Sequence, residues 1–193
     1  AAQGFESLAV GRIVVPVESD SLLDATSFGT GFMISESVGV TASHVLDGRL
    51  LHRPAELRMD GGTYEIEQIA RTPGEDVAVF RIDRSIRSEI LLAQTEHRLT
   101  VGTRIFVVGF PLPGVMIDDE PSITAGIVSA RNRTIEIGAS RYQGLIQIDA
   151  FAAYGSSGAP VLDEGMRVAG MVVVAATGQN DEWRGAAFAI TLD

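Results

Sequence analysis

The chain contains no cysteine, which excludes disulfide bonds, thiolate nucleophiles and cysteine metal ligands. Proteins without cysteine occur in reducing and oxidising compartments alike, so the redox environment stays open. Histidine is also scarce, with three among 193 residues. Because a paired-histidine helix motif and a phosphate-binding glycine loop are both missing, the sequence does not support a metalloenzyme or a nucleotide enzyme. We expect no cofactor.

Long apolar runs and basic clusters are missing as well. No apolar stretch approaches the roughly 20 residues that span a bilayer, so we expect no membrane insertion. The chain has 15 basic residues, all of them arginine, and 25 acidic ones, which gives a formal net charge of -10 and a sequence pI near 4.7. Since this charge repels a phosphate backbone, we expect no nucleic-acid partner.

Short β-branched and apolar runs bounded by glycine, proline, aspartate or serine dominate the chain, and helical spacing is scarce. This pattern predicts an all-β fold. A first set of strands is predicted at 10–17, 30–35, 38–42, 55–59, 63–71 and 77–82. A second set is predicted at 103–110, 122–130, 133–137, 144–149, 160–163, 167–175 and 186–191.

A polar stretch at 84–100 separates the two sets of strands. Six predicted strands lie before this stretch and seven after it, and we expect two packed six-stranded antiparallel barrels, because closure removes the exposed edges of an open sheet. The Asp-Gly-Gly sequence at 60–62 predicts a hairpin in the first barrel. We expect a single domain over residues 1–193, with an N-terminal barrel at about 7–90 and a C-terminal barrel at about 100–193.

The segment Tyr154–Pro160 carries the strongest local signal for chemistry. Glycines on both sides of its serine pair allow backbone conformations that a side chain would block. The Ser157 hydroxyl and two backbone N–H groups can then face one cavity, as a nucleophile and an oxyanion hole require. Taken alone, however, Gly-Ser-Ser-Gly is more typical of a surface turn.

A serine nucleophile needs a base that takes its proton, and imidazole suits this role. His44 ends an apolar strand, where a side chain can project from a rigid element into a cleft. His52 and His97 lie beside arginines in polar surroundings, which indicates solvated surface positions. His44 is therefore the candidate base, although a lone histidine at a strand end is more often structural.

The third group of such a triad is a carboxylate that fixes the imidazole tautomer. Asp76 lies directly against the apolar run Val77–Ile82, where it can be shielded from water. The neighbouring Glu75 is the alternative. An aspartate at this place can also serve simply to start a strand after a turn.

Further short motifs accompany these residues along the chain: Gly29–Ile34, Thr41–Val45, Asp76–Val79, Gly102–Pro111, Thr124–Ser129, Ile146–Ala150, Gly155–Pro160 and Ala187–Ile190. Their order resembles that of HtrA/Deg-type serine proteases, and the resemblance covers nearly the whole chain. The separations of 32 residues between His44 and Asp76 and 81 between Asp76 and Ser157 are similar to that family's. One motif would be weak evidence, whereas the ordered set is specific.

The resemblance implies a chymotrypsin/trypsin-type fold with the active site in the cleft between the barrels. It implies a serine endopeptidase that works through an acyl-enzyme intermediate on unfolded or flexible polypeptide segments. Ser157 would be the nucleophile, His44 the general base and acid, and Asp76 the orienting carboxylate. The N–H groups of Gly155 and Ser157 would form the oxyanion hole.

The residue six positions before Ser157 is Phe151, where trypsin-like proteases specific for basic side chains carry an acid. Ala152 and an expected substrate-facing strand containing Val172, Val173 and Val174 complete an apolar pocket. We therefore expect cleavage after small or medium aliphatic residues.

Two residues depart from the family pattern. Ser156 replaces the common asparagine before the nucleophile, and Ala159 replaces the second of two glycines after it. The main alternative to an enzyme is a catalytically inactive protease-fold module that binds peptides, in which the oxyanion hole is never assembled. The resemblance further implies an extracytoplasmic location, periplasmic or secreted, and a homotrimer in which Phe5 is a candidate contact.

Overall fold

The computed structural model describes residues 8–17, 25–47, 53–72, 74–86, 99–113, 115–116, 118, 120–137, 140–177 and 183–191. Phe5, His52 and His97 lie outside this part of the chain. Within it, the backbone forms twelve β-strands and a short 3₁₀ turn at Ser43–Leu46, with no α-helix. The all-β prediction is therefore confirmed.

The first six strands close into a barrel. They are β1 (Val10–Val17), β2 (Ala25–Met33), β3 (Val38–Thr41), β4 (Ala55–Met59), β5 (Gly62–Thr72) and β6 (Val77–Ile82), hydrogen-bonded in the order β1-β2-β3-β6-β5-β4. Met59 pairs with Gly62 across the expected hairpin. Its two turn residues, Asp60 and Gly61, have φ values of 50° and 70°, the left-handed pair that a tight two-residue hairpin needs.

The remaining strands close into a second barrel, as predicted. They are β7 (Arg104–Gly109), β8 (Ser122–Ile137), β9 (Ser140–Ile148), β10 (Pro160–Leu162), β11 (Val168–Thr177) and β12 (Trp183–Thr191), in the order β10-β11-β12-β9-β8-β7. Along β6, alternate residues are buried, which is the pattern of a strand with one face toward a core.

Strand β8 differs from the prediction of two strands at 122–130 and 133–137. It is continuous from Ser122 to Ile137, and its pairing with β9 shifts register between Val128 and Ile135. Asn132 lies inside this region with a φ of 53°. Bulges of this kind let a long strand bend without ending, so the polar Arg-Asn step that resembles a turn in the sequence is accommodated within the strand.

The two barrels pack against one another through a shared apolar cluster. It contains Phe32 and Phe80 of the first barrel together with Val108, Leu162 and Met171 of the second, all nearly inaccessible to water. A separate cluster, which includes Ile105, Val128 and Ile148, fills the second barrel. Within the described residues, no helix has the length and apolar character needed to cross a membrane.

Candidate active site

The His44 side chain is held by Asp76. Strands β3 and β6 are neighbours in the first barrel, with Thr41 paired to Ala78. His44 lies in the 3₁₀ turn that follows β3, and Asp76 lies in the turn that precedes β6, so the two residues meet at the same end of the sheet. The distance from Nδ1 of His44 to Oδ2 of Asp76 is 2.5 Å.

The other carboxylate oxygen of Asp76 is also fully engaged. Oδ1 accepts hydrogen bonds from the Ser43 hydroxyl at 2.8 Å and from the backbone N–H of His44 at 2.9 Å. Burial by itself raises the pKa of Asp76, but the hydrogen bonds from His44 and Ser43 and the charge of His44 outweigh it. The pKa of Asp76 therefore lies below its ordinary value, and the group is ionised at neutral pH.

Ionisation of Asp76 determines the tautomer of the imidazole ring. A carboxylate only accepts hydrogen bonds, so the proton between the two side chains belongs to Nδ1 of His44. In the neutral ring this leaves Nε2 as a proton acceptor, which a general base requires. The His44 side chain is 41% exposed and that of Asp76 7%, so the ring is accessible while its partner is shielded.

The turn that carries Ser157 is fixed by its own hydrogen bonds. Ser156 N–H donates to the carbonyl of Ala153, and Ala159 N–H donates to the carbonyl of Ser156, both at 2.9 Å. The Ser156 hydroxyl, which is buried, accepts a hydrogen bond from Ala153 N–H at 3.2 Å. Ser156, which stands where the family commonly has asparagine, therefore places its side chain in a hydrogen bond within the turn.

Two N–H groups of this turn are left unused. Gly158 N–H donates to the carbonyl of Val172, but among the described residues no acceptor takes the N–H of Gly155 or of Ser157. Gly155 has a φ of 95°, a conformation that glycine adopts without strain. Unused donors on both sides of Ser156 are the arrangement expected for an oxyanion hole.

Backbone contacts bring the serine turn against the first barrel close to His44. Thr30 N–H of β2 donates to the carbonyl of Ser157 at 2.8 Å. A β-carbon built on Gly158 would lie 2.1 Å from the carbonyl oxygen of Thr30 and 3.0 Å from the nitrogen of Ala42, two residues before His44. The candidate nucleophile Ser157 and the candidate base His44 therefore lie at the same interface between the two barrels.

The Ser157 hydroxyl makes no hydrogen bond with the His44 ring among the described side chains. Catalytic hydrogen bonds of this kind are often long in unliganded enzymes and shorten when substrate fills the site. The structure thus joins His44 to Asp76 directly and brings Ser157 beside them through the backbone. The roles expected for the three residues stay predictions.

The close approach at Gly158 leads to a prediction. Gly158→Ala adds a methyl group where φ is 87° and the Thr30 carbonyl leaves no room, so the barrels must separate locally. We expect the free energy of unfolding to fall by about 3 kcal/mol, because overpacking adds to backbone strain. Urea denaturation followed by tryptophan fluorescence measures it.

Gly102→Ala is the matched control for this substitution. Gly102 has a nearly identical φ of 88°, but apart from its two chain neighbours no heavy atom in the described part of the chain lies within 4 Å of a β-carbon built there. This variant tests the cost of the left-handed conformation alone, and we expect its free energy of unfolding to fall by about 1 kcal/mol. Equal losses in the two variants would show that the close contact at Gly158 does not matter.

The five expected substrate-binding residues are distributed unevenly. Ala152, Val172 and Val173 are at most 1% exposed and belong to the apolar interior. Phe151 and Val174 are partly exposed. The Phe151 carbonyl accepts a hydrogen bond from the Thr124 hydroxyl at 2.9 Å, which fixes the backbone at this point.

A polar cavity of about 280 Å³ opens beside His44 and Asp76. Its wall includes Tyr142, which β9 of the second barrel contributes. Burial raises the pKa of the Tyr142 hydroxyl, and the charge of Asp76 raises it further. Across the described residues, no group of three or more histidine, cysteine, aspartate or glutamate side chains could hold a metal ion.

Sequence reasoning missed the two polar side chains that support the site. Ser43 binds Asp76, and its position directly before His44 was the available signal. The Thr30 hydroxyl is completely buried, accepts a hydrogen bond from Phe110 N–H at 3.1 Å and donates to the carbonyl of Gly155 at 2.7 Å. Nothing in the sequence around Thr30 indicates contacts with residues so far along the chain.

Known proteins are similar to this chain in sequence and in fold. Residues 29–171 match the trypsin-like peptidase domain. A protein of Bartonella henselae named "Probable periplasmic serine endoprotease DegP-like" is 33% identical over 148 residues, 75% of this chain and 27% of that protein. Serine protease HTRA1 of Xenopus laevis is 30% identical over 168 residues, 86% of this chain and 34% of that protein. The chain thus spans about a quarter to a third of the length of these relatives.

Among solved structures, the HtrA-type protease AlgW with a bound tripeptide is similar to this chain with a TM-score of 0.79 and 23% identity. The similarity covers 96% of this chain and 57% of AlgW. At this identity the likeness supports the chymotrypsin-like fold alone, which agrees with the two closed barrels. The family match and the relatives together show that the chain belongs to the trypsin-like peptidase family and is an HtrA-like serine protease domain.

Proposed function

We propose that this chain is a serine endopeptidase that hydrolyses polypeptides through an acyl-enzyme intermediate. In this proposal His44 removes the proton from the Ser157 hydroxyl as its oxygen attacks the scissile carbonyl carbon. Asp76 holds the imidazole and stabilises its charged form. His44 then gives the proton to the leaving amine. In the second half of the reaction, His44 takes a proton from a water molecule that attacks the acyl carbon and returns it to the Ser157 oxygen, which releases the acyl group.

The observation that carries the proposal is the pair of unused N–H groups at Gly155 and Ser157. The inactive peptide-binding alternative requires a serine turn in which these donors are turned away or consumed by internal acceptors. Here the N–H groups of Ser156, Gly158 and Ala159 all donate to backbone carbonyls, whereas those of Gly155 and Ser157 have no acceptor within the described ranges. Donors held ready for a developing negative charge favour the enzyme over the binding module.

The edge of β11 offers a place for substrate backbone. β11 pairs with β12 as far as Thr177, but on its other side it pairs with β10 only as far as Met171. Val172 then exchanges both of its backbone hydrogen bonds with the serine turn, at Gly158 and Ala159. An extended peptide added to the open edge beyond Val172 would lie next to Ser157 and bind with little demand on its sequence.

We expect cleavage after small or medium aliphatic residues. Phe151 and Val174 are the partly exposed members of the expected pocket. Asp149, two residues before Phe151 in the sequence, accepts a hydrogen bond from Ile127 N–H at 2.6 Å through Oδ1. A basic side chain would meet the Phe151 ring at the position where proteases with basic specificity carry an acid. For matched peptides we expect kcat/KM with valine or alanine before the scissile bond to exceed that with arginine by at least about tenfold.

Phe151→Asp tests the predicted specificity of the same pocket by placing an acid in it. An aspartate at this position is expected to raise kcat/KM for the arginine peptide and lower it for the valine peptide. Turnover of lysine or arginine peptides by the unsubstituted protein that is faster than turnover of aliphatic ones would contradict the predicted specificity without contradicting the protease.

The proposal as a whole is tested by covalent labelling with a fluorophosphonate, which phosphonylates only an activated serine. We expect one label per chain, on Ser157 by mass spectrometry, and hydrolysis of an unfolded protein such as reduced casein. Absent labelling combined with retained binding of peptides would favour the inactive module. A label on any other serine would refute the assignment of Ser157.

The biological setting follows from the relatives and remains part of the proposal. Relatives named periplasmic endoproteases support an extracytoplasmic location for this chain. We also expect a homotrimer, which light scattering measures directly. Because the chain spans a minor part of its relatives, their further activities and partners are not transferred to it.

A further inference from the structure

The wall behind the candidate oxyanion hole is built by the segment after β7. A β-carbon on Gly155 would lie 2.3 Å from the Phe110 carbonyl oxygen and 3.0 Å from Cδ of Pro113. Leu112 N–H donates to the carbonyl of Tyr154 at 2.8 Å. Any displacement of Phe110–Pro113 therefore changes the space available to Gly155 and the direction of its N–H.

This segment is strained and needs support from outside. Leu112 has a φ of 54°, a left-handed conformation that costs a side-chain-bearing residue about 1–2 kcal/mol. Its carbonyl accepts hydrogen bonds from Val115 N–H at 2.8 Å and Met116 N–H at 2.9 Å, which close a tight turn. Strained turns persist only where surrounding contacts hold them in place.

Arg12 of the first barrel supplies such contacts. Its Nη2 donates to the carbonyls of Met116, at 3.4 Å, and of Asp118. Its guanidinium lies over the Phe110 ring, 5.3 Å from the centroid. Arg12 is only 6% exposed, so these contacts form where water does not compete with them. The Arg12 side chain therefore contacts Phe110 at one end of the segment and Met116 and Asp118 at the other.

The Phe110 end connects to the serine turn by a second route. Phe110 N–H donates to the Thr30 hydroxyl, which itself donates to the carbonyl of Gly155. The Arg12 contact with the Phe110 ring and the Thr30 contact with the Phe110 backbone therefore act on the same residue. Both come from neighbouring strands of the first barrel, which pair Arg12 with Thr30 directly.

We propose that Arg12 is a positioning residue for the oxyanion hole. It holds Phe110–Pro113 against Gly155 and Tyr154, and thereby keeps the Gly155 N–H aimed at the carbonyl oxygen of the substrate. This inference rests on the proposed function. A residue that acts in this way affects the transition state, in which the oxyanion forms, more than it affects the binding of substrate.

The test is Arg12→Met, which keeps an unbranched apolar side chain and removes the guanidinium. We expect kcat for an aliphatic peptide to fall about 10- to 100-fold, less than the 10²–10³-fold that loss of a whole oxyanion donor costs, with KM changed less than about twofold. The inhibition constant of a peptide boronic acid, whose adduct places an oxygen in the oxyanion hole, should rise by the same factor. Arg12→Lys should recover most of both losses, because an ammonium group can still donate to the two carbonyls.

Arg58→Met is the matched control. Arg58 lies directly opposite Arg12 in the pairing of β1 with β4, but its guanidinium binds Glu56 at 2.9 Å on the half-exposed surface. We expect unchanged kcat and boronic acid affinity in this variant. If Arg12→Met does not fold, Phe110→Leu removes the ring beneath the guanidinium and is expected to lower kcat with little change in KM.

The outcomes separate this inference from the proposed function. A protein that labels with fluorophosphonate and shows the same kcat before and after Arg12→Met overturns the role of Arg12 alone. A loss shared equally by Arg58→Met also overturns it, since any arginine on this sheet would then matter. A protein that neither labels nor cleaves overturns the proposed function and this inference together.

Discussion

Ser157→Ala is expected to lower kcat for peptide hydrolysis by about 10⁶-fold, the scale measured when the nucleophile of a serine protease is removed. Without the hydroxyl no acyl-enzyme can form. The two candidate oxyanion donors are backbone N–H groups, and the substitution leaves them in place. A small residual rate above that of the uncatalysed reaction should therefore remain, from the oxyanion hole and substrate binding alone.

The neighbouring serine provides the control for this experiment. Ser156 is buried, and its hydroxyl accepts a hydrogen bond from Ala153 N–H, so Ser156→Ala removes one structural contact of about 1 kcal/mol. We expect Ser156→Ala to retain covalent labelling and most of its activity. Hydrolysis of a fluorogenic peptide and thermal unfolding are measured for both variants. An active Ser157→Ala variant would exclude Ser157 as the nucleophile.

Much of the fold was predictable because its signals are local. The Asp-Gly turn between β4 and β5, the alternation along β6 and the polar interval between the two sets of strands can each be recognised within about ten residues. Closure of the barrels followed from a general argument about exposed edges rather than from any particular residue. Both barrels close in the structure.

The predicted strand bounds were wrong where tertiary contacts override the local sequence pattern. β8 runs through Asn132 because register shifts absorb the residues that resemble a turn, and β9 begins at Ser140 instead of 144 because it pairs with the end of β8. β2 likewise begins at Ala25 rather than at 30, since it pairs with β1 over the full length of that strand. Register between distant strands is not encoded in either strand alone.

The candidate site shows the same division between residues with a local sequence signal and residues whose contacts appear only in the fold. His44, Asp76 and Ser157, the predicted triad, lie in short motifs that the ordered set of motifs along the chain singles out. Arg12 lies 104 residues from Met116, and Thr30 lies 125 residues from Gly155, so only the folded chain reveals these contacts and that both side chains also contact Phe110. The candidate reactive residues carry a local pattern, whereas side chains that contact them from distant parts of the chain need none.

Asp76→Asn is expected to lower kcat by about 10⁴-fold, the loss that the equivalent change causes in a related protease of the chymotrypsin type. The hydrogen bonds of Asp76 give the reason. Ser43 Oγ–H and His44 N–H both donate to Oδ1, so an asparagine places its carbonyl oxygen there and turns its amino group toward Nδ1. Because that amino group donates, Nδ1 must accept, and the imidazole proton moves to Nε2.

This change would disable the base while the site keeps its shape. With its proton on Nε2, His44 cannot take a proton from Ser157 at neutral pH, so labelling by fluorophosphonate should slow in parallel with hydrolysis. Nuclear magnetic resonance of ¹⁵N-labelled histidine in the unliganded protein should detect the proton on Nδ1 before the substitution and on Nε2 after it. These two readouts separate a tautomer effect from general disruption of the fold.

Glu75→Gln decides between the two neighbouring carboxylates. Glu75 is exposed, whereas Asp76 is 8% exposed and makes the contacts with His44. We expect Glu75→Gln to change kcat less than about twofold, since exposed charges near a site interact weakly through water. A large loss in Glu75→Gln together with a small one in Asp76→Asn would transfer the orienting role to Glu75, because the group that sets the tautomer must be the one whose neutralisation removes the base.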